Sequence, residues 1–317
     1  MAHHPPNPPS QSEQKPILVV GSINMDLVVS AERLPAPGET LHGTGFETHP
    51  GGKGANQAVA VARLGYPVAI IGMTGSDDLG QQLRAHLGAA GVDTAAVGTA
   101  PGPSGVAVIT VAASGENTIV LDAGANRQLT PAYLDQHAHR IADAGLVLAQ
   151  LEIPLETTLH LAHLCAAANV PLILDPAPAC DLPEVLFTQT AWFTPNATEA
   201  SFYTYTGSQI LPTPAATARN LLTRGSAGVI LKLGAEGSYL LDHAGNEASI
   251  PPFPVHAVDS TAAGDAFNGA FATALMLGRS PRDSAIFASA AAALSVTRAG
   301  AQSSMPPLSE VEATLSN

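Results

Sequence analysis

Cysteine, cationic side chains and aromatic rings are all scarce in this sequence. Its 317 residues include 2 Cys (Cys165 and Cys180), 1 Trp (Trp192) and 4% aromatic residues overall. Two cysteines supply neither a disulfide framework nor a zinc-ligand spacing, and they fit a reducing compartment. The 13 Lys+Arg are outnumbered by 26 Asp+Glu, for a formal charge of -13. Such a chain is a poor non-specific binder of nucleic acid or of an anionic membrane surface. No apolar run reaches the ~18 residues that a membrane span requires. The richest stretch, residues 285–296, is short and built of small side chains. No basic segment followed by an apolar one stands near the N-terminus, so a secretory signal is not expected and a cytoplasmic location is. An anionic ligand would have to be met by donors concentrated locally.

What is present is apolar surface. Hydrophobic residues make up 46% and charged residues 12%, enough to bury a core and to exclude wholesale disorder. Residues 1–16, rich in Pro, His, Ser and Gln, are expected to be a flexible tail, with His3 and His4 inert. The folded body is expected over residues 17–317. Apolar runs at 17–20, 68–71, 146–149, 171–174, 192–193 and 229–233 read as strands. Helical runs at 53–64, 79–90, 131–142, 157–168 and 214–224 lie between them. Two long Ala-rich helices follow at 262–277 and 281–298. Alternating β and α runs with continuously apolar strands imply an α/β fold, a mostly parallel central sheet with helices on both faces. Segments 27–49 and 104–122 break the rhythm; the second holds a turn at Ser114-Gly115. They read as a small antiparallel sheet, either a flap over the strand ends or an ordinary edge extension.

Five constellations carry chemistry. Gly51-Gly52-Lys53-Gly54-Ala55-Asn56 opens a helix, where glycines admit a ligand and the helix start offers free N–H groups. It is not a P-loop, because Gly54 stands where Ser or Thr would follow the lysine. Gly21-Ser22-Ile23-Asn24-Met25-Asp26 follows the first strand and lacks the glycine fingerprint of a dinucleotide site. Asn24 and Asp26, two apart, face one side of an extended chain; an amide and a carboxylate together can grip vicinal hydroxyls. The plainer reading is a turn in which both bond the local backbone.

Third, Asp259-Ser260-Thr261-Ala262-Ala263-Gly264-Asp265 lies between an expected short strand, 255–258, and a long helix. The turn Ala262-Ala263-Gly264 can aim N–H groups at an anion. Asp265, in the first helical turn, is the candidate base beside donors for a transferring phosphoryl group; its plain reading is a first-turn acid. Fourth, Asn196 and Glu199 of Thr194-Pro195-Asn196-Ala197-Thr198-Glu199 share one face of a helix start. They suit Mg²⁺ held partly through water, or form a relative of the capping box. Fifth, Lys232-Leu233-Gly234-Ala235-Glu236-Gly237 connects two strands and reads as a wall for a flat ligand such as adenine, or as a simple hairpin. His160 and His163, three apart, read as a solvated helix face rather than a metal site.

In order and over residues 17 to about 313, these segments resemble the ribokinase-like (PfkB) carbohydrate kinase family. The Gly51–Asn56 and Asp259–Asp265 motifs carry most of the resemblance. Gln150-Leu151-Glu152, Asp175-Pro176-Ala177-Pro178 and Val296-Thr297-Arg298 add to it. The glycine motif is similar to that of the family's ribose kinases rather than its fructokinases or nucleoside kinases. The resemblance implies phosphoryl transfer from ATP to the 5-hydroxyl of D-ribose. It implies sugar contacts from Asn24, Asp26, Gly52, Lys53, Gly54, Asn56, Glu152 and Asp265, with Asp265 as base. Ala262, Ala263 and Gly264 would stabilise charge on the moving group. Asn196, Lys232 through Gly237, Gly264, Asp265, Asn268 and Ser289 would meet the nucleotide, Ser289 standing where many relatives have His. Asn196 and Glu199 would organise Mg²⁺ indirectly. A K⁺ activator would sit near Asp259, Thr261, Ser295, Arg298, Gly300 and Ser304, largely on backbone carbonyls; Thr261 and Ser295 depart from the residues common there. Segments 27–49 and 104–122 would form a lid that also makes a homodimer contact. The alternatives are a kinase for another sugar or nucleoside, or a catalytically silent sugar-binding regulator.

Overall fold

Ile17-Leu18-Val19-Val20 is apolar without interruption and wholly buried. Ile17 and Val19 enter one core cluster, while Leu18 and Val20 enter another. A strand with two buried faces needs such a run, because neither row of side chains meets water. This strand is β1 (Ile17–Val20) of the computed structural model, which describes residues 14–204 and 213–316. It is followed by β2 (Asn24–Ala31), β3 (Gly45–Gly51), α1 (Lys53–Arg63), β4 (Val68–Gly75), α2 (Asp78–Ala89) and β5 (Asp93–Ala100). Next come β6 (Gly105–Ala112), β7 (Asn117–Asp122), α3 (Pro131–Gln136), α4 (Ala138–Asp143), β8 (Leu146–Ala149), α5 (Leu155–Ala168) and β9 (Leu172–Leu174). The chain continues with α6 (Glu184–Thr188), β10 (Trp192–Phe193), α7 (Ala197–Thr204), α8 (Pro214–Thr223), β11 (Gly228–Lys232), β12 (Ser238–Asp242) and β13 (Glu247–Ile250). It ends in α9 (Ala263–Met276), α10 (Pro281–Ser295) and α11 (Leu308–Ser316).

The main sheet has nine strands in the order β13-β12-β11-β10-β9-β8-β1-β4-β5. From β5 to β11 the pairings are parallel; β12 and β13 add antiparallel at one edge. One face packs on α1, α9 and α10, the other largely on α5 and α8. The Ala-rich helices come very close at one point. A Cβ on Gly269 would lie 2.6 Å from the Ala60 Cβ and 3.0 Å from the Gln57 carbonyl. That glycine seats α9 on α1 one turn after Asp265 and so brings Asp265 to the α1 start.

A second sheet of four strands has the order β3-β2-β6-β7. Its outer pairings, β2 with β3 and β6 with β7, are antiparallel as expected. Its central pair, β2 with β6, runs parallel. The reason lies in the connections: β2 leaves just after β1 and β6 just after β5, so both emerge from the same end of the main sheet.

Several expectations need correction. The strand expected at 255–258 does not form. Pro251, Pro252 and Pro254 remove ladder donors just before it, and Val258 stays 63% exposed. The helix expected at 131–142 is broken at His137, where φ is -112 and ψ 13. The helix expected to reach Arg298 stops at Ser295, and the Val296 carbonyl instead accepts the amides of Val258 and Asp259. Strand β5 carries no strand signal in its sequence, because Asp-Thr-Ala-Ala-Val-Gly-Thr-Ala is mostly small and unpatterned. Residues 1–13 of the expected tail, with His3 and His4, lie outside the described residues. The tail does not extend to Pro16: the Tyr66 hydroxyl donates to the Lys15 carbonyl (3.2 Å) and the Gly145 amide to that of Pro16 (2.9 Å). Among the described residues, no helix is long and apolar enough to cross a membrane.

Candidate active site

The polar residues singled out above gather at the C-terminal ends of the parallel strands, where open α/β sheets place ligands. Asn24 and Asp26 begin β2 just beyond β1. Gln150 and Glu152 follow β8, Asp175 follows β9, Asn196 follows β10, and Lys232 ends β11. The starts of α1 and α9 complete the cluster.

The α1 start differs from expectation. Its first amides are not free for a ligand. The Lys53 amide donates to Glu152 Oε2 (3.1 Å), the Gly54 amide to Ser22 Oγ (3.3 Å) and the Ala55 amide to the Ser22 carbonyl (2.9 Å). Ser22 Oγ itself donates to Glu152 Oε2 at 2.6 Å. Gly54 is required by this closeness, since a Cβ there would stand 2.6 Å from the Gly21 carbonyl carbon and the Ser22 nitrogen. The glycine motif, with Gly52 as N-cap, thus docks the helix on the β1–β2 turn and fixes Glu152. Asn24 Oδ1 accepts from Asn126 Nδ2 (2.7 Å), and Asn126 Oδ1 accepts from the Ile23 amide (2.9 Å). Asn126 is buried and no sequence pattern had marked it.

Asp265 is buried at the start of α9. Its Oδ2 accepts from Asn56 Nδ2 at 2.9 Å and its Oδ1 from Gln57 Nε2 at 3.1 Å. Burial pushes its carboxyl up to about 6, with the nearby Asp175 charge adding to the rise and Lys53, Asn56 and Gln57 opposing it. Asp26 is likewise pushed up to about 6, first by burial and then by Glu152. Burial works against the Lys53 ammonium, yet Asp265, Glu152, Asp175 and Glu199 outweigh it and hold its pKa above the usual value.

The α9 start is uncapped. Ala262, at φ 58 and ψ 15, takes the left-handed conformation, which costs a residue with a Cβ of order 1–3 kcal/mol. No side chain caps the helix, and the first helical bond runs from the Ala266 amide to the Ala262 carbonyl (2.9 Å). The amides of Gly264 and Asp265 are left without a helical partner. A cation stands beside them: Lys232 Nζ would be 3.4 Å from a Cβ on Gly264. That ammonium is paired with Asp175 Oδ1 at 2.8 Å, and the two side chains are only 11% and 3% exposed. Donors, a cation and a buried carboxylate therefore meet around one point. This arrangement can take an anionic group and accept a proton from a neutral one.

Asn196 and Glu199 do form a capping box. The Asn196 amide and Nδ2 donate to the two Glu199 oxygens, each at 2.8 Å, and the Glu199 amide returns to Asn196 Oδ1 at 2.9 Å. Burial raises the Glu199 carboxyl, and Lys232 opposes that rise. Leu233 through Gly237 form a tight turn between β11 and β12, with Gly234, Ala235 and Glu236 exposed. Ser289 reaches its edge and shares a hydrogen bond with Ser238 (3.2 Å). Asn268 is the exception: it is 0% exposed inside α9, so it does not line the cleft.

The Asp259 loop is bound to the loop after α10. Asp259 Oδ1 accepts from the Thr261 amide (2.9 Å) and hydroxyl (2.6 Å), and Oδ2 accepts from the Gly300 amide (2.8 Å). Burial would raise the Asp259 carboxyl, but these donors outweigh it and keep it below its usual value. Ser295 and Ser304 are buried, their hydroxyls bonded to the Ala292 and Ala301 carbonyls. The Arg298 side chain pairs with Glu310. An ionised carboxylate among hydroxyls and carbonyls is an oxygen-only donor set, suited to a hard cation.

Over residues 14–308 the sequence matches the model of the pfkB family carbohydrate kinases. It is 42% identical over 302 residues to the ribokinase of Bacillus subtilis (strain 168), covering 95% of this chain and 99% of that one. The crystal structure of ribokinase from Thermotoga maritima matches with a TM-score of 0.88 at 39% identity, covering 96% and 100% of the two chains. The structure of Arabidopsis thaliana ribokinase complexed with ribose and ATP matches with a TM-score of 0.89 at 35% identity, covering 96% and 99%. With its cleft residues set at the strand ends of the same fold, the chain belongs to the pfkB family of carbohydrate kinases.

Proposed function

We propose that this chain phosphorylates D-ribose at its 5-hydroxyl with ATP, giving ribose 5-phosphate and ADP. The observation that carries the reading is the buried Asp265 carboxylate at the uncapped start of α9, with the Lys232 ammonium against Gly264. The relatives named ribokinase, one of them solved with ribose and ATP, support ribose and ATP as the substrate pair.

In this reading Asn24, Asp26 and Glu152 hold the sugar hydroxyls, together with Gly52, Lys53 and Asn56, while Gly54, its amide committed to Ser22 Oγ, seats the helix beneath them. Asp26 and Glu152 accept, while Asn24 and Lys53 donate. The hydroxyl oxygen attacks the γ-phosphorus in line. The new O–P bond forms as the bond from that phosphorus to the bridging oxygen breaks, and ADP leaves with the electron pair. Asp265 takes the hydroxyl proton. The Ala262-Ala263-Gly264 turn and Lys232 meet the charge on the equatorial oxygens. Residues 232–237 and Ser289 form the nucleotide wall.

Mg²⁺, held through water near Asn196 and Glu199, would neutralise phosphate charge when bound with ATP. K⁺ at the Asp259 loop would add positive potential behind the α9 start. We assign the four-stranded sheet the role of lid, and a homodimer contact to its exposed Phe46, Val108, Ile119, Val120 and Leu121. The free Cys165 and Cys180 support a reducing location, the cytoplasm.

Two measurements check these assignments. ADP release with ATP and Mg²⁺ should depend on ribose and should fall when K⁺ is replaced by a bulky organic cation; indifference to K⁺ removes the K⁺ site. Sedimentation should give a dimer for the unaltered protein and a monomer for Val120→Asp. A monomeric unaltered protein would end the lid-contact assignment.

A further inference from the structure

Six side-chain amides and carboxylates form a chain beneath the reacting groups, and its centre is Gln57. This residue is 0% exposed, so it cannot touch a substrate. Its single amide nitrogen donates to two buried carboxylates, to Asp265 Oδ1 at 3.1 Å and to Asp175 Oδ2 at 3.0 Å. Its carbonyl accepts from Gln150 Nε2 at 2.7 Å, which fixes which end of the amide faces the acids. Both N–H protons and the carbonyl are then committed. The other oxygen of Asp265 is handled in the same way: Asn56 Nδ2 donates to Oδ2, and Gln302 Nε2 donates to Asn56 Oδ1 at 3.0 Å. On the far side, Asp175 holds Lys232.

We propose that Gln57 is a positioning residue for phosphoryl transfer: its amide nitrogen holds Asp265 ionised and in fixed orientation, and ties it to the Asp175–Lys232 pair. A carboxylate accepts from an N–H donor in its ionised form, so each donor favours ionisation. Two buried carboxylates placed side by side would otherwise drive each other towards protonation. The neutral amide between them lets both stay charged, one for the proton of the acceptor hydroxyl, the other for the cation at the phosphate side. The remaining charges facing Asp265 are Lys53 from α1 and Asp26 from β2, with Lys232 reached through Asp175. The inference rests on the reading of Asp265 as base.

The test follows the Asp265 carboxyl itself, by ¹³C NMR of Asp-labelled protein, with the signal assigned by its absence in Asp265→Asn. Gln57→Met should raise the Asp265 midpoint by about one pH unit, the scale of a lost donor. Asp175→Asn should lower it, since a like charge is removed. The acid limb of kcat/KM should follow both shifts, while KM for ribose stays within about twofold in Gln57→Met, a residue away from the sugar. Gln150→Met, which leaves Gln57 in place but unoriented, should shift the midpoint upward by less; it is read in place of Gln57→Met if that variant does not fold. Midpoints that move without the rate limb would keep the hold on Asp265 and contradict Asp265 as base. A midpoint unmoved in both glutamine variants would overturn the inference.

Discussion

Asp265→Asn is expected to lower kcat by ~10²–10⁴, the range of a lost general base. The amide is close to isosteric, so the fold and the cleft should persist. What disappears is the carboxylate oxygen that the proposed mechanism uses to take the hydroxyl proton. The pH dependence gives an independent check. Burial puts both Asp26 and Asp265 at about 6, well above the usual carboxylate range. The proposed mechanism uses each in its ionised form, so kcat/KM should rise with pH through about 6 as two coupled ionisations, with a slope steeper than one proton gives. In Asp265→Asn the residual rate should keep only the shallower limb of Asp26. Near-normal turnover in the folded variant, or an acid limb unchanged in steepness, would remove Asp265 from the mechanism.

The second large effect is on stability. Lys232→Met leaves Asp175 charged, almost wholly buried and without its counter-ion. Removing one partner of a buried pair costs about 3–5 kcal/mol. Asp175→Asn in the same chain should recover most of that loss, because the uncompensated charge goes with it. Urea unfolding of the single and double variants measures both quantities. Activity should not recover with stability, since the cation against Gly264 remains missing. A Lys232→Met protein as stable as the parent would show that Asp175 does not depend on this pair.

The strands with continuous apolar runs are legible in the sequence, because a strand buried on both faces announces itself locally. The two helix starts that meet in the cleft, in Gly51–Asn56 and Asp259–Asp265, are legible too, because helix-start chemistry is contiguous in sequence. Which helix start is available is not legible there. Ser22 and Glu152 occupy the α1 amides, and Glu152 is 99 residues from Lys53. The α9 amides have no such cap. The supporting chain was hidden for the same reason. Asn56 and Gln57 meet Asp265 across separations of 209 and 208 residues, and Gln302 meets Asn56 across 246. Asp175 stood in a quoted motif without a role, because its function comes from Lys232 and Gln57, both remote in sequence.

The acidity that made an anionic ligand puzzling is present in the cleft itself. Asp26, Glu152, Asp175, Glu199 and Asp265 surround Lys53 and Lys232. On the proposed reading the carboxylates would serve a neutral sugar and hold the lysines in place, and the phosphate side would be left to backbone amides, one ammonium held by Asp175 and the proposed cations. The most direct measurement is product analysis by ³¹P NMR of the protein with ATP, Mg²⁺, K⁺ and D-ribose. One ribose 5-phosphate per ADP is expected. ADP formation indifferent to ribose, or faster turnover of fructose or adenosine, contradicts the assignment.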